Sequence, residues 1–219
     1  MERKNFSIPE AIDFGWCSMK NNFWLFAILL IILGVFSAIS DRFSKSAKDL
    51  PILIVIITNL VFLFLNVMIH IGIIKISLKL ANNQKGEFVD FFSSLHLFFK
   101  FLFASIVYGL IVLAGFILLI IPGIIWSVQF GFFGYLIISH GLGISASLKK
   151  SSEITSGIKG KLLIFYLLLF VINLAGALCL IIGLFAAIPT TIIAGAYVYR
   201  KLLDQALVNT NVSITTTST

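Results

Sequence analysis

The amino-acid sequence predicts an all-α integral membrane protein with six transmembrane helices, arranged as three units that each join an interfacial helix to a two-span hairpin. Three observations lead there. First, a hairpin is written twice: Lys100 leads through Leu113-Ala114-Gly115 to Ile120-Ile121-Pro122, and Lys161 leads through Leu174-Ala175-Gly176 to Ile181-Ile182-Gly183, each matched position offset by 61 residues. In both copies a basic residue opens an apolar run of bilayer-spanning length, and a Gly/Pro break returns the chain into a second run. Second, the composition is 59% hydrophobic and only 11% charged, with a mean hydropathy of +1.09, where a soluble domain carries about a quarter charged residues. Third, thirteen of the 16 Lys and Arg residues fall in segments that an even number of spans places on one side.

Apolar runs place the spans at about 23–40, 51–74, 101–121, 124–139, 162–183 and 185–200. The first run follows a 22-residue polar and amphipathic segment with no small-residue cleavage site, so the first helix is expected to stay. The thirteen basic residues are Arg3, Lys4 and Lys20; Lys75, Lys79, Lys85 and Lys100; Lys149, Lys150, Lys159 and Lys161; and Arg200 and Lys201. The opposite side holds only Arg42, Lys45 and Lys48. Under the positive-inside rule both termini are cytoplasmic, in a prokaryotic cytoplasmic membrane.

The three segments that precede the hairpins read as interfacial helices. In the first, Ser7 and Glu10 form a capping-box pattern, Pro9 suits a first turn, and Ile8, Ile12, Trp16 and Met19 share one face. It is expected to lie in the membrane plane. The second, Glu87 to Phe99, sets Phe88, Phe92, Leu95 and Phe99 on one stripe, widened by Phe91 and Phe98, with Asp90 and Ser93 elsewhere. In the third, Ile144 to Ile158, six Ser and Thr residues and Gly157 dilute Leu148, Ile154 and Ile158, so helix and solvated loop stand equal. Pro122 and Gly123 interrupt the first repeated hairpin, and Pro189 either starts the sixth span or kinks it. Trp126 fits an outer aromatic belt, and Tyr197 and Tyr199 an inner one. The polar tail, 204–219, is expected to be disordered.

Residues Gly115 to Phe133, with Ile121-Pro122-Gly123-Ile124, then Ser147-Leu148-Lys149-Lys150-Ser151, Thr155 and Gly157, carry a resemblance. Over residues 100–203 the chain resembles the bacterial polytopic proteins grouped with the membrane domain of glycerophosphoryl diester phosphodiesterase and the YciC-type inner-membrane proteins. Ser147 and Lys150 stand where those proteins usually have Ala and Arg. In the phosphodiesterase branch catalysis belongs to an appended soluble domain, and these 219 residues leave no room for such a barrel. The resemblance therefore implies the fold and argues against phosphodiesterase activity.

Catalysis by acid, base or metal needs clustered carboxylates, His or Cys, and no predicted span contains Asp or Glu. The histidines are isolated: His96 sits among phenylalanines, and His140 ends span 4. Cys17 and Cys179 form no ligand pattern. No catalytic, metal or cofactor site is expected, nor a nucleic-acid-binding module. The expected partners are membrane lipids, anionic because of the +7 net charge, and a partner membrane protein or further copies of the chain. Headgroup contacts are expected from Lys20, Lys85, Lys100, Lys149, Lys150, Lys161, Arg200 and Lys201.

The leading functional reading is a non-enzymatic structural or accessory protein that works through this basic, Phe-rich cytoplasmic belt. The alternative uses a polar stripe on span 2, where Asn59, Asn66 and His70 share a face, bordered by Thr58. With Gln129 and Asn173 the stripe is either hydrogen-bonding glue between helices or the lining of a path in a small transporter or lipid-handling protein. Small residues, Gly109, Gly131 and Gly134 in one hairpin and Ala175, Gly176, Ala194 and Gly195 in the other, are expected to let backbones approach closely.

Overall fold

A computed structural model describes residues 4–46, 51–91, 94–179 and 182–217, with side chains described to residue 208. Arg3, Lys48, Phe92, Ser93 and Ile181 lie outside these residues, as do the side chains of Lys45, Phe88 and Phe91. Within them the protein is all-helical: α1 (Ile8–Asn21), α2 (Phe23–Ser46), α3 (Ile52–Ala81), α4 (Phe98–Leu118), α5 (Ile120–Phe130), α6 (Phe133–His140), α7 (Ile144–Thr155), α8 (Lys159–Leu178) and α9 (Ile182–Thr217). Five stretches are long and apolar enough to cross a membrane: Phe23–Phe43, Ile52–Ala81, Leu95–Leu118, Ile120–His140 and Lys159–Leu178.

The sixth expected span lies inside α9, where Pro189, Thr190, Thr191 and two tyrosines dilute the apolar run. Its place in the bundle explains that composition. α1, α3 and α8 pack around α9, and from Gly183 to Ala206 it exposes no large apolar side chain. Pro189 sits within the helix as a buried residue. It removes a helical hydrogen bond, and nearby hydroxyls serve the local carbonyls: Thr190 donates to Ala186 O at 2.7 Å and Thr191 to Ile188 O at 2.9 Å. The helix continues through 204–217, where the sequence predicts a disordered tail. Burial of Leu203 and Ala206 extends the ordered helix beyond Lys201, and propagation needs only one further bond per residue.

The duplicated hairpin is a duplicated backbone crossing. α4 and α5 are separated by Leu119 alone, whose extended backbone (φ −167°, ψ 150°) reverses the chain. Pro122 therefore lies in the first turn of α5, where its missing N–H costs nothing, instead of forming the turn. A Cβ on Gly115 would stand 2.8 Å from Gly123 Cα, so the two helices meet backbone to backbone. In the second copy a Cβ on Gly183 would stand 2.5 Å from Gly176 O. Gly123 and Gly183 are one position out of the 61-residue register, yet each completes the same kind of contact.

The segments expected at the interface behave differently from one another. α1 is a helix with Ser7 as its N-cap, Ser7 Oγ accepting from Glu10 N–H at 3.4 Å. Its buried residues, however, are Ala11, Gly15 and Met19, while Trp16 is 43% exposed. The reason is a close crossing with α9: a Cβ on Gly15 would stand 2.4 Å from Thr190 O. A helix docked this way is not an isolated apolar stripe in the membrane plane. The second segment forms two 3-10 turns, Phe88–Phe91 and Leu95–Leu97, in place of one amphipathic helix. Asp90 fastens it, accepting from Glu87 N–H at 2.9 Å and pairing with Lys79 at 2.6 Å. Burial pushes the Asp90 carboxyl up, but the Lys79 hydrogen bond, the Glu87 N–H and the Lys79 and Lys75 charges outweigh it and hold it below the usual range. The third segment is the helix α7, and its hydroxyl face points inward: Ser147, Ser151 and Thr155 are completely buried.

Replacing Gly176 or Gly115 with Val should lower thermal stability in detergent, by about 1–3 kcal/mol for an overpacked crossing. Gly109→Ala is the control, since a Cβ there meets nothing within 4 Å; its midpoint should stay unchanged or rise slightly.

Candidate functional site

Charged and polar groups gather where the ends of α3, α6, α8 and the middle of α9 meet α1 and α7. The local fold that creates this region is a break in the fourth apolar run. Between α5 and α6 the helix breaks into a turn at Gly131 and Phe132, where Gly131 keeps helical dihedrals and Phe132 departs from them at φ −90°, ψ 5°. Ser151 of α7 fills the gap: its hydroxyl donates to Gln129 O at 2.9 Å and accepts from Phe132 N–H at 3.2 Å. Thr155 donates to the same Gln129 carbonyl at 3.2 Å. The buried serines of α7 thus replace the helical bonds that the break removes, which is why a Ser-rich helix can sit inside an apolar bundle.

The Gln129 side chain faces α7 and α8. Its amide nitrogen donates to Ser152 Oγ at 2.6 Å, and its oxygen accepts from Lys159 Nζ at 2.6 Å. Asn173 donates to Thr191 of α9 at 3.1 Å and to Leu169 O. Neither meets the stripe on α3. Asn59, Asn66 and His70 are exposed, and Asn59 donates to Val55 O of its own helix at 2.8 Å. The five residues are therefore separate features, two of them interhelical glue.

Beside the break, α6, α7 and α9 line an open cavity of about 350 Å³. Leu136, Leu142, Ala146, Leu203 and Leu207 form its apolar wall, and His140, Lys149, Lys150 and Glu153 form its polar rim. Gly141, in the left-handed conformation at φ 63°, ends α6 and lets the chain turn into α7. Lys100 secures that corner by donating to Gly141 O at 3.0 Å. Lys150 pairs with Glu153 at 3.1 Å, while Lys149 is exposed. Lys4 donates to Glu153 O from the N-terminal segment. Partial burial and the Lys150 charge lower the Lys4 amine, against the opposing pull of Glu153.

Ser139 and His140 resemble a nucleophile and base. Ser139 Oγ donates to Tyr135 O at 2.6 Å. The same oxygen lies 2.6 Å from His140 Nδ1 and 2.8 Å from Tyr199 OH, so the hydroxyl sits in a three-partner cluster. Among the described residues no three of His, Cys, Asp and Glu group as a metal set.

The N-terminal segment straps this region. Asn5 and Gln205 exchange two bonds, N–H to Oε1 at 2.9 Å and Nε2 to O at 2.6 Å, and Lys161 donates to Asn5 Oδ1. A second cavity, of about 500 Å³, lies under the strap, lined by residues 5–9 with Lys161 and Lys201. Glu10 accepts two bonds from Lys201, at 2.7 and 2.8 Å, and one from Tyr197 OH. Those bonds, from Lys201 first and Tyr197 next, hold the Glu10 carboxyl below its ordinary value, and the Lys201 amine is raised in return by Glu10.

The eight basic residues expected at headgroups divide accordingly. Lys100, Lys161, Arg200 and Lys201 bond to the protein, Arg200 donating to Ala81 O at the end of α3. Lys20, Lys85 and Lys149 are exposed, Lys20 lying 5.6 Å from the Trp16 ring centre, and Lys150 shares itself between Glu153 and the cavity. Sequence reasoning missed the serine-filled break. Its signal was present in Ser147, Ser151 and Thr155, which recur at helical spacing on one face of α7. No protein-family model, curated protein or solved structure matches the chain.

Ser151→Ala should cost about 1–3 kcal/mol by leaving the Phe132 N–H unpaired, and Thr155→Ala less, because Ser151 still serves the Gln129 carbonyl; thermal unfolding in detergent measures both. Since Glu10 titrates below its ordinary 4.5 in the folded protein, its contribution to the α1–α9 contact is complete above that value and lost as pH falls through the lowered one. Hydrogen exchange of the α1 amides should accelerate on acidification below pH 4.5, and Glu10→Gln should remove most of that acid limb.

Proposed function

We propose that the chain is a six-span protein of a prokaryotic cytoplasmic membrane, with both termini cytoplasmic, serving as a non-enzymatic structural or accessory protein that holds anionic lipid at its basic end. α9 is counted as the sixth span. A central helix shielded by α1, α3 and α8 needs no apolar surface for lipid, which accounts for its modest hydropathy. Most of the exposed large apolar side chains fall on α2, on α3 from Ile52 to Leu65, on the α4–α5 hairpin and on α8, a distribution that suits contact with acyl chains; Trp16, Val89, Leu95, Leu207 and Val208 lie elsewhere.

The observation that carries the reading is the cavity between α6, α7 and α9, with an aliphatic wall and a rim of His140, Lys149 and Lys150. Acyl carbons suit the leucines, and a phosphate suits two lysines at the end of a low-dielectric wall. Glu153 moderates the site, but the nearby Lys4 keeps the local balance positive. Of the three segments that precede the hairpins, α1 and α7 are helices packed into the bundle at its basic end, and Phe88–Phe91 and Leu95–Leu97 are turns. The resemblance of residues 100–203 to the polytopic proteins named above agrees with this reading. Asn59, Asn66 and His70 line none of the cavities just described, so no geometry favours a transport path along them.

The test is lipid retention through purification into zwitterionic detergent, read by native mass spectrometry. The wild type should keep anionic phospholipid over zwitterionic. The double variant Lys149→Gln/Lys150→Gln should weaken that preference roughly thirtyfold, from about 1 kcal/mol per basic residue. Equal recovery of both lipid classes by wild type would sink the proposal.

A further inference from the structure

We infer that the chain pairs with a second copy of itself through α3, about a two-fold axis along the membrane normal, with Asn59 and Asn66 each facing its own image. The inference rests on the membrane reading above for the surroundings of α3.

α3 is one helix in two environments. From Met68 onward it is fixed in the bundle by Met68, Ile71, Gly72, Ile76 and Leu80. From Ile52 to Asn66 none of its residues is buried. Its ring contacts there are with α2, where Phe62 meets Phe36 and Phe43 at 5.2 and 6.1 Å, and with α4, where Phe64 lies 4.8 Å from Phe98. Along this half runs a seam with spacings of four and three: Ile52, Ile56, Asn59, Leu63, Asn66 and His70. These are the a and d positions of a heptad, and all six are exposed. The half-buried residues Val55, Thr58 and Phe62 lie toward one side of the seam, so α2 leaves it open.

Amides turned toward acyl chains are the feature that calls for an occupant. The bond from Asn59 to Val55 O uses one of the two N–H groups of that amide and none of the capacity of its oxygen. Lipid tails offer no donors or acceptors, so a protein surface that supplies them is favoured over lipid. A second copy supplies them by symmetry. An amide is both donor and acceptor, and two amides related by a two-fold axis close reciprocal bonds. Copies inserted with the same topology can share only an axis along the normal, which makes the two α3 helices parallel and sets identical residues at identical depth. Heptad spacing then gives a shallow left-handed crossing, with Leu63 forming an apolar layer between the two amide layers, Ile56 another on the outer side of Asn59, and His70 closing the inner end. An unrelated helix would need its own polar groups about 10 Å apart at matching heights.

The test is disulfide trapping in native membranes, starting from Cys17→Ser/Cys179→Ser, since both natural cysteines are exposed. Ile56→Cys and Leu63→Cys should cross-link to the same residue of a second copy about tenfold faster than Ile57→Cys and Val61→Cys, whose exposed side chains point away from the seam. Asn66→Leu in the Leu63→Cys background should slow trapping about three- to thirtyfold, the weight of an interhelical polar bond in a bilayer. Equal trapping at all four positions, adducts with another protein at Leu63→Cys, or no trapping from a chain that elutes as a folded species overturns the pairing. Carbonate extraction of the same membranes separates the two proposals: a chain that stays in the membrane without trapping refutes the pair alone, and one that is extracted refutes the membrane reading.

Discussion

Helices surrounded by hydrocarbon gain little from hiding apolar side chains, so their association depends on how closely their backbones approach. Three glycine contacts set that distance here. Gly115 against Gly123 closes the α4–α5 hairpin, Gly176 against Gly183 closes α8 on α9, and Gly15 presses α1 onto the Thr190 carbonyl. The first two are local and would survive apart from the rest. The third is long-range and commits the N-terminal helix to the centre of the bundle. Once α1 is seated, Glu10 reaches Lys201 and Tyr197, Asn5 reaches Gln205 and Lys161, and Lys4 reaches Glu153. The polar network at the basic end is therefore downstream of a steric fact about one glycine.

Close approach brings a second requirement, because breaks in helices cannot be left unsatisfied in an apolar interior. At Pro189 the helix runs on without the bond to Phe185 O, and the threonines that follow bond to the neighbouring carbonyls of Ala186 and Ile188. At Gly131 and Phe132 the solution comes from another helix, as Ser151 and Thr155 of α7 supply the missing donor and acceptor. The second solution ties two elements together, and it places Lys149 and Lys150, on the same helix, beside the cavity walled by α6 and α9. Structural repair of the break and positioning of the candidate site are the work of one short helix.

Sequence periodicity and composition made the helical class, most helix positions and the repeated hairpin legible, because each is a local property of a long apolar run. What it concealed was which face of each helix meets protein. In α1 the large residues Ile8, Ile12 and Trp16 suggest the buried face, yet Ala11 and Gly15 are buried while Ile8 and Ile12 pack only at the edge and Trp16 is exposed, since close crossings favour the absence of side chain over its bulk. In α7 six hydroxyl residues suggest solvent, yet Ser151 and Thr155 are buried because a neighbouring helix needs their bonds, and Ser147 is buried with its hydroxyl on Ile144 O of its own helix. The segment from Glu87 to Phe99 has a helical stripe, but its described residues form the short turns Phe88–Phe91 and Leu95–Leu97 before α4 begins at Phe98, and Asp90 holds the first of them through Glu87 N–H and Lys79. For the candidate site, Lys149 and Lys150 were visible as charges, whereas the leucines that turn them into a cavity rim come from α6 and α9 and share no local pattern with them.

The basic residues show how one count covers two roles. Lys100, Lys161, Arg200 and Lys201 end on carbonyl, amide or carboxylate oxygens of the protein, so they orient and bind the helix ends to one another. Lys20, Lys85 and Lys149 remain exposed to whatever lies beyond. A similar division applies to the uncharged polar groups. Among the described residues no buried side-chain nitrogen or oxygen lacks a hydrogen-bond partner, so the interior is complete as a single chain. Gln129 and Asn173 belong to that completed interior. Asn59, Asn66 and His70 lie outside it, on the half of α3 that the bundle leaves uncovered. A chain that satisfies its polar groups this thoroughly within, while presenting amides at heptad spacing without, has placed its remaining hydrogen-bonding capacity where another helix can reach it.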